Sequence, residues 1–349
     1  MRQLPVYLAL IKWSMENKLL FVLIGCGRIG ERHAEQIVKT GKLLAVCDMD
    51  KARADEMAQR YKVNAYYSID DLLLHEKEAN IISVCTPNGL HAEHCIKSLQ
   101  AGKHVLCEKP LCITGAAARQ IMETMKYCRR KLFVVKSGRY IPALLQAKNW
   151  ISNGHAGKIY NFHLSCLWNR PVSYYENNWH GTLFPDGGTL YTQFSHYIDV
   201  MLWLLGDMEE VNGFRKNNAH TTVMEFEDDG AAAVKMKNGT IGTLNWSVNS
   251  FLKNMEISLT IVAENGTVKI GGEYMNKVEY LCTRNDSDFH IPQMPLLQEA
   301  SRPLRSNHQH VYENLAKVLM DDQHPFPTVL DGVKTVEAIE MIYQKINLQ

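Results

Sequence analysis

The sequence lacks the long apolar run of a membrane protein. Nowhere in its 349 residues does a stretch approach the roughly 18 apolar residues a spanning helix needs, so no membrane association is expected. It also lacks an excess of charge of either sign. Lys and Arg number 38 against 37 Asp and Glu, the formal net charge is +1, and no block of five like charges occurs. Nucleic-acid binding normally shows as a basic stripe, so no such partner is expected. There is no C-x-x-C pair among the nine cysteines. Most lie in apolar stretches such as Val46-Cys47 and Val84-Cys85, which reads as buried reduced thiols in a cytoplasmic protein. His91 with His94, and His308 with His310, are never joined by a third and fourth ligand at zinc-site spacing, so no metal is expected. Internal repeats and low-complexity linkers are missing too.

What is present is ordinary globular composition, 46% hydrophobic and 21% charged, in a length that suits two domains. The opening MRQLPVYLALIKWS faintly imitates a signal peptide but has no small-residue cleavage site. Met15 then reads as a natural start, so residues 1–14 are taken as an extension or a misassigned start. From Lys18 onward short apolar runs alternate with helical stretches. The runs are 19–25, 42–48, 80–86, 103–109 and 131–137, and the helices 30–40, 51–61, 90–101 and 115–130. Unbroken apolar runs suit strands buried on both faces, and alternation with helices predicts a doubly wound parallel sheet.

After about residue 155 the texture becomes short, β-branched and alternating. Strands are predicted over 220–228, 231–237, 240–249, 256–264 and 267–271. They are joined at Asp229-Gly230, Asn238-Gly239 and Asn265-Gly266 in an antiparallel meander, because such dipeptides supply the positive φ of hairpin turns. Two helices close the chain, roughly 306–320 and 332–347. The fold class is therefore α/β: a Rossmann domain over 15–138 and an α+β domain with a large, mainly antiparallel open sheet over 139–349.

Gly25-Cys26-Gly27-Arg28-Ile29-Gly30 is a G-x-G-x-x-G set between an apolar strand and a helix. Its glycines let the backbone turn and approach a pyrophosphate whose charge sits at the helix N-terminus. The next strand ends in Asp48, 18 residues after Gly30. That acid would accept from an adenosine 2′-hydroxyl and repel a 2′-phosphate, and no arginine stands beside it. NAD rather than NADP is the expected cofactor.

Three further segments follow in order: Cys85-Thr86-Pro87-Asn88 with His91, then Glu108-Lys109-Pro110, then Gly187-Gly188 leading to His196 and Asp199. After that fingerprint they resemble the glucose-fructose oxidoreductase / inositol dehydrogenase family (Gfo/Idh/MocA), over nearly the whole chain from residue 18. The resemblance implies that Thr86, Pro87, Asn88 and His91 border the cofactor with Glu108 and Lys109. It implies that Lys109 reaches the substrate hydroxyl, that His196 helps move its proton, and that Asp199 is the neighbour of His196. Oxidising an alcohol sends a hydride to the nicotinamide and a proton to a positioned base. A lysine beside a cationic ring can have its pKa lowered enough to serve. At helical spacing Thr192, Gln193, His196 and Asp199 form a polar stripe on an otherwise apolar helix. Many members of the family carry an aspartate four residues before the histidine and a glycine two before it. Here those positions are Thr192 and Phe194, and Gln193 suggests a different branch.

The segment Trp168-Asn169-Arg170-Pro171, Tyr174-Tyr175, Trp179-His180-Gly181-Thr182 is similar to the branch acting on nucleotide-linked sugars, most of all the UDP-N-acetylglucosaminuronate 3-dehydrogenases of bacterial surface-polysaccharide synthesis. Tyr175 and Trp179 could cover a sugar face, and Arg139, Tyr140 and Arg170 could grip a carboxylate or phosphate. Asn307 and His308 read as a helix cap or a nucleotide contact. The resemblance implies a homodimer or homotetramer through the C-terminal sheet, and allows recycling of NAD by 2-oxoglutarate. Two alternatives stand beside this reading: a free-sugar or inositol dehydrogenase, and a non-catalytic NAD- and sugar-binding sensor.

Overall fold

The structure, a computed structural model, describes residues 19–176, 179–285, 289, 307–320 and 327–349. The expectation for residues 1–14 lies outside them. Two units are present. One ends at Val135 and is resumed by Asn307–Val333; the other begins at Lys136 and is resumed by Lys334–Gln349.

The first unit alternates strand and helix: β1 (Leu20–Ile24), α1 (Arg28–Thr40), β2 (Lys42–Cys47), α2 (Lys51–Tyr61), β3 (Asn64–Tyr66), α3 (Ile69–His75), β4 (Ile81–Val84), α4 (His91–Gln100), β5 (His104–Cys107), α5 (Gly115–Cys128) and β6 (Leu132–Val134). The six strands form a parallel sheet in the order β3-β2-β1-β4-β5-β6. Every residue of β4 and β6 is buried, as are all but the first of β1 and β5, which is why these runs carry no polar alternation. The expected strands and helices appear; the three-residue β3 and the short α3 do not show in the periodicity.

The expected division at 138/139 differs from the observed one because α8 (His308–Met320) returns to the first unit. Val311, Tyr312 and Leu315 are at most 1% exposed, and the Tyr312 ring packs 5.8 Å from Phe21 of β1. The division falls again inside α9 (Val329–Lys345).

The second unit holds α6 (Pro142–Ser152), β7 (Ile159–Leu167), α7 (Ser195–Leu205), β8 (Met208–Lys216), β9 (Asp229–Met236), β10 (Ile241–Ser247), β11 (Glu256–Ala263), β12 (Gly266–Gly271) and β13 (Lys277–Thr283). The seven strands run in the order β13-β12-β11-β7-β10-β9-β8, antiparallel except where β7 lies parallel to β10. The sheet is mainly antiparallel as expected, but β7 separates β10 from β11 and breaks the simple meander.

Residues 220–228 are not a strand, and Asp229-Gly230 is not a turn; both lie in β9 opposite Ser247 and Trp246. The Asp228 carboxylate accepts from the Asn218 and Ala219 amides at 2.7 Å each and meets His220 Nδ1 at 3.0 Å, which holds the segment in turns. A Cβ on Gly230 would strike the Trp246 indole, so glycine here answers to close packing rather than to turn geometry.

Candidate functional site

In the first unit the chain leaves β1 through Gly25, whose φ of +99° only glycine adopts without strain. A Cβ there would also meet the Cys85 carbonyl at 2.5 Å. Gly30 packs against the Gly25 carbonyl with no room for a Cβ, whereas a Cβ on Gly27 would meet nothing within 4 Å. Gly27 is the N-cap of α1 and offers no side-chain cap, so the helix N-terminus is open to an anion. Arg28, exposed, and Ile29, half-buried, open the helix. Asp48 follows β2, and its carboxylate accepts from the Cys26 amide at 2.7 Å and the Asp50 amide at 2.9 Å. This carboxylate therefore holds the turn together. An open helix terminus, a glycine step without obstruction and an acid at the second strand end fit a dinucleotide.

Thr86 and Pro87, half-buried, and Asn88, buried, follow β4. His91 is buried, and its two ring nitrogens meet the Pro110 carbonyl at 2.6 Å and the Thr86 carbonyl at 2.7 Å. Its role is to join the loops after β4 and β5 rather than to present an imidazole to a ligand; burial pushes its pKa down.

Glu108 is likewise turned inward. Its Oε1 meets His33 Nε2 at 2.9 Å and His308 Nε2 at 3.0 Å, and its Oε2 accepts from the Lys109 amide at 2.9 Å. Burial alone would raise this carboxyl, but the hydrogen bonds from His308 and His33 hold it well below the ordinary range. Burial lowers the pKa of His33, whose Nδ1 meets Ser83 Oγ at 2.9 Å and the Tyr312 hydroxyl at 2.8 Å. His308, read from sequence as a cap or nucleotide contact, is the second partner of Glu108. Sequence reasoning missed His33 altogether, although it sits one turn past Gly30. The ligand atoms of His33, Glu108 and His308 lie within 4.8 Å of one another, the one such grouping among the described residues. They offer three donors, one fewer than a closed zinc site uses, and hydrogen bonding already accounts for their approach. Lys109 itself is half-buried.

In the second unit Gly187 and Gly188, with φ of +92° and +132°, bring the chain against Tyr343 of α9, whose phenol occupies the space a Cβ on Gly188 would need. That phenol accepts from the Leu190 amide at 2.9 Å. Leu190–Phe194 is then one π-helical stretch before α7, not the continuous helix that periodicity suggests. Such a turn shifts the faces of the residues before and after it, and often marks functional sites. From Leu190 to Leu205 only Thr192, His196 and Trp203 are not buried. The expected polar stripe thus divides: Thr192 and His196 stay partly exposed, while Gln193 and Asp199 turn inward. The Thr192 hydroxyl donates to the Asp186 carboxylate.

Gln193 organises the substrate candidates. Its carbonyl accepts from Arg170 Nε at 2.9 Å and its amide donates to the Tyr174 hydroxyl at 3.0 Å. The Arg170 guanidinium also donates to the Asn254 side chain at 3.2 Å and lies over the Trp168 and Tyr174 rings at 4.8 and 5.4 Å. Trp179 packs on His180 at 3.8 Å, and His180 stacks on Tyr174 at 4.5 Å. The structure therefore brings Arg170, Gln193, Trp179, Tyr174 and His180 into one chain of contacts. Tyr175 is instead core, buried with Met224 and Phe226.

Asp199 and Arg139 also depart from expectation. Asp199 is 2% exposed, and its carboxylate takes Arg139 bidentately at 2.9 and 2.8 Å, Lys136 Nζ at 2.8 Å and the Thr335 hydroxyl at 3.2 Å. Burial would raise it; Lys136 and Arg139 hold it below the usual carboxylate range. The side chain expected to assist His196 is thus the anchor of the Lys136–Tyr140 turn, and the arginine expected to grip substrate is its partner. Tyr140, half-buried, ends that turn.

Comparison with known proteins follows the same division. A model of the "Oxidoreductase family, NAD-binding Rossmann fold" matches residues 19–136, and one of the "GFO/IDH/MocA C-terminal domain" matches 144–269. Inositol 2-dehydrogenase of Salmonella paratyphi B is 28% identical over 53% of this chain, which spans only 54% of that relative. D-glucoside 3-dehydrogenase of Escherichia coli is 26% identical over 68% of this chain and 72% of its own length. Among solved structures, the WlbA dehydrogenase from Bordetella pertussis, in complex with NADH and UDP-GlcNAcA, superposes with a TM-score of 0.84 at 29% identity, covering 94% of this chain and 96% of that one.

Proposed function

The chain belongs to the Gfo/Idh/MocA oxidoreductase family, and on that premise we propose that it oxidises the C3 hydroxyl of a UDP-linked N-acetylamino-sugar uronate to a keto sugar with NAD, a step of the kind used in bacterial surface-polysaccharide synthesis. The observation that carries the sugar assignment is the Arg170–Gln193–Tyr174 constellation flanked by Trp168, Trp179 and His180. It pairs a guanidinium suited to a carboxylate or phosphate with aromatic faces suited to a sugar. The likeness to a structure holding UDP-GlcNAcA, at 29% identity over 94% of the chain, supports it. NAD would rest its pyrophosphate on Gly27 and the N-terminus of α1 and its adenosine ribose on Asp48, and would supply the hydride acceptor. Lys109 takes the hydroxyl proton as general base and His196 shares in its transfer.

The alternative of a free-sugar or inositol dehydrogenase is favoured by one observation: the inositol and glucoside relatives have names without a nucleotide. NAD reduction with UDP-GlcNAcA, UDP-N-acetylhexosamines, free sugars and inositols, with and without 2-oxoglutarate, separates the two. Turnover confined to the UDP-uronate is expected. Turnover confined to unlinked sugars would discard the nucleotide branch, and NAD binding without turnover would move the reading to a sensor. Lys109→Ala should lower turnover by at least about 100-fold while NAD binding is kept.

A further inference from the structure

Glu108, expected to border the cofactor, is joined in a buried cluster to His33 and His308, and the connections of that cluster point one way. Its members come from three separate places in the chain: α1 one turn after Gly30, the residue that follows β5, and the first residue of α8, which returns after the whole second sheet has been made. All three are at most 6% exposed. Both imidazole Nε2 atoms converge on one oxygen of Glu108, and the other oxygen receives the main-chain N–H of Lys109. Ser83 and Tyr312 close the far side of His33, so the hub is bonded on both flanks. A buried polar network satisfied at each contact admits one geometry, and loosening one member releases the rest.

We propose that His33, Glu108 and His308 form a positioning hub for Lys109, through which α1 and α8 together fix the E-K-P segment and place a constant negative charge beside the lysine. The hub rests on the role given to Lys109 above. Glu108 can do this because its own charge is secured by two donors that need not be charged themselves. An imidazole that donates from Nε2 needs no charge to do so, and in that tautomer the Nδ1 of His33 is left to accept from Ser83 or Tyr312. None of the three touches substrate; they act through Lys109.

The test reads Lys109 directly and needs no substrate. Competitive acetylation with acetic anhydride over a pH series, with the Lys109 peptide quantified by mass spectrometry, gives the titration midpoint of that one amine. Glu108→Gln keeps the side-chain shape and removes the charge, so the midpoint should fall by about half a unit or more, with roughly threefold faster labelling on the rising limb. His308→Phe keeps a ring and removes one donor, so deuterium uptake at the Lys109 amide should quicken about tenfold as the Oε2 contact loosens. Circular dichroism and NAD affinity report whether each variant is folded. If Glu108→Gln fails to fold, the His308→Phe exchange rate decides alone. A folded Glu108→Gln with an unmoved Lys109 midpoint, or a folded His308→Phe with unchanged exchange, overturns the hub. Turnover that survives Lys109→Ala would instead overturn the catalytic reading and leave the hub result standing, so the two failures are told apart.

Discussion

In the glycine turn after β1 the groups offered to a ligand belong mostly to the main chain, the open N-terminus of α1 and a glycine with space in front of it, with one side-chain carboxylate that also ties the turn together. Between Trp168 and Asp199 the groups on offer are side chains, drawn from three stretches and held to one another by Arg170, Gln193 and Tyr174. A main-chain cradle binds what every dinucleotide has in common, and it tolerates little change because atoms cannot be trimmed from a backbone. A side-chain constellation can be revised one residue at a time, which suits the sugar site proposed for it.

Gly30→Ala tests the rigid side of that contrast and carries the largest expected effect. Its methyl would enter space held by the Gly25 carbonyl, so α1 must move off the turn. The expected cost is about 1–3 kcal/mol of stability, together with at least about a 30-fold loss of NAD affinity by calorimetry. An unaltered affinity would mean that the cradle is not the binding element. Gln193→Leu tests the adaptable side. It leaves Arg170 and Tyr174 without their bridge, and the dissociation constant for UDP-GlcNAcA should rise about tenfold, near 1.4 kcal/mol, with NAD affinity unmoved. Equal losses for both ligands would dissolve the distinction between the two regions.

That distinction also governs what could be read in advance. The strands of the parallel sheet, the G-x-G-x-x-G turn and Asp48 were legible because local spacing encodes them: buried strands forbid polar alternation, and a phosphate cradle demands glycine at fixed offsets. The second unit was legible as a sheet but not in its order, since nothing local tells β7 to lie between β10 and β11. Asp229-Gly230 misled because the glycine there makes room for Trp246, a contact from the neighbouring strand. Asp199 and Arg139 were picked out by type and spacing, but the pairing of Asp199 with Arg139 and Lys136 joins residues 60 and more positions apart. His33 gave no signal, because its partner Glu108 is 75 residues away. The π turn over Leu190–Phe194 shifts the helical register that the polar stripe assumed.

The smallest expected effect concerns a buried carboxylate in each unit. Glu108 meets two imidazole donors at 2.9 and 3.0 Å, and they hold its pKa down. Glu227, fully buried in the second unit, meets the Tyr343 hydroxyl at 2.8 Å, Arg215 Nη1 at 3.2 Å and Trp246 Nε1 at 3.3 Å. Here burial wins over those contacts and pushes the carboxyl up from 4.5 to about 7. Between those two values the folded chain keeps a proton that the unfolded chain has released. Stability therefore falls as pH rises through that window, by at most about 1.4 kcal/mol per pH unit. Glu227→Gln keeps the carbonyl that accepts from Tyr343 and removes the titration. The wild-type Tm should drop by a few degrees from pH 5 to pH 8, and the variant should lose that part of the slope, as followed by circular dichroism. Superimposable slopes would show that Arg215 keeps Glu227 ionised throughout, in which case both buried carboxylates are held as anions and the contrast between the two units does not extend to how they bury charge.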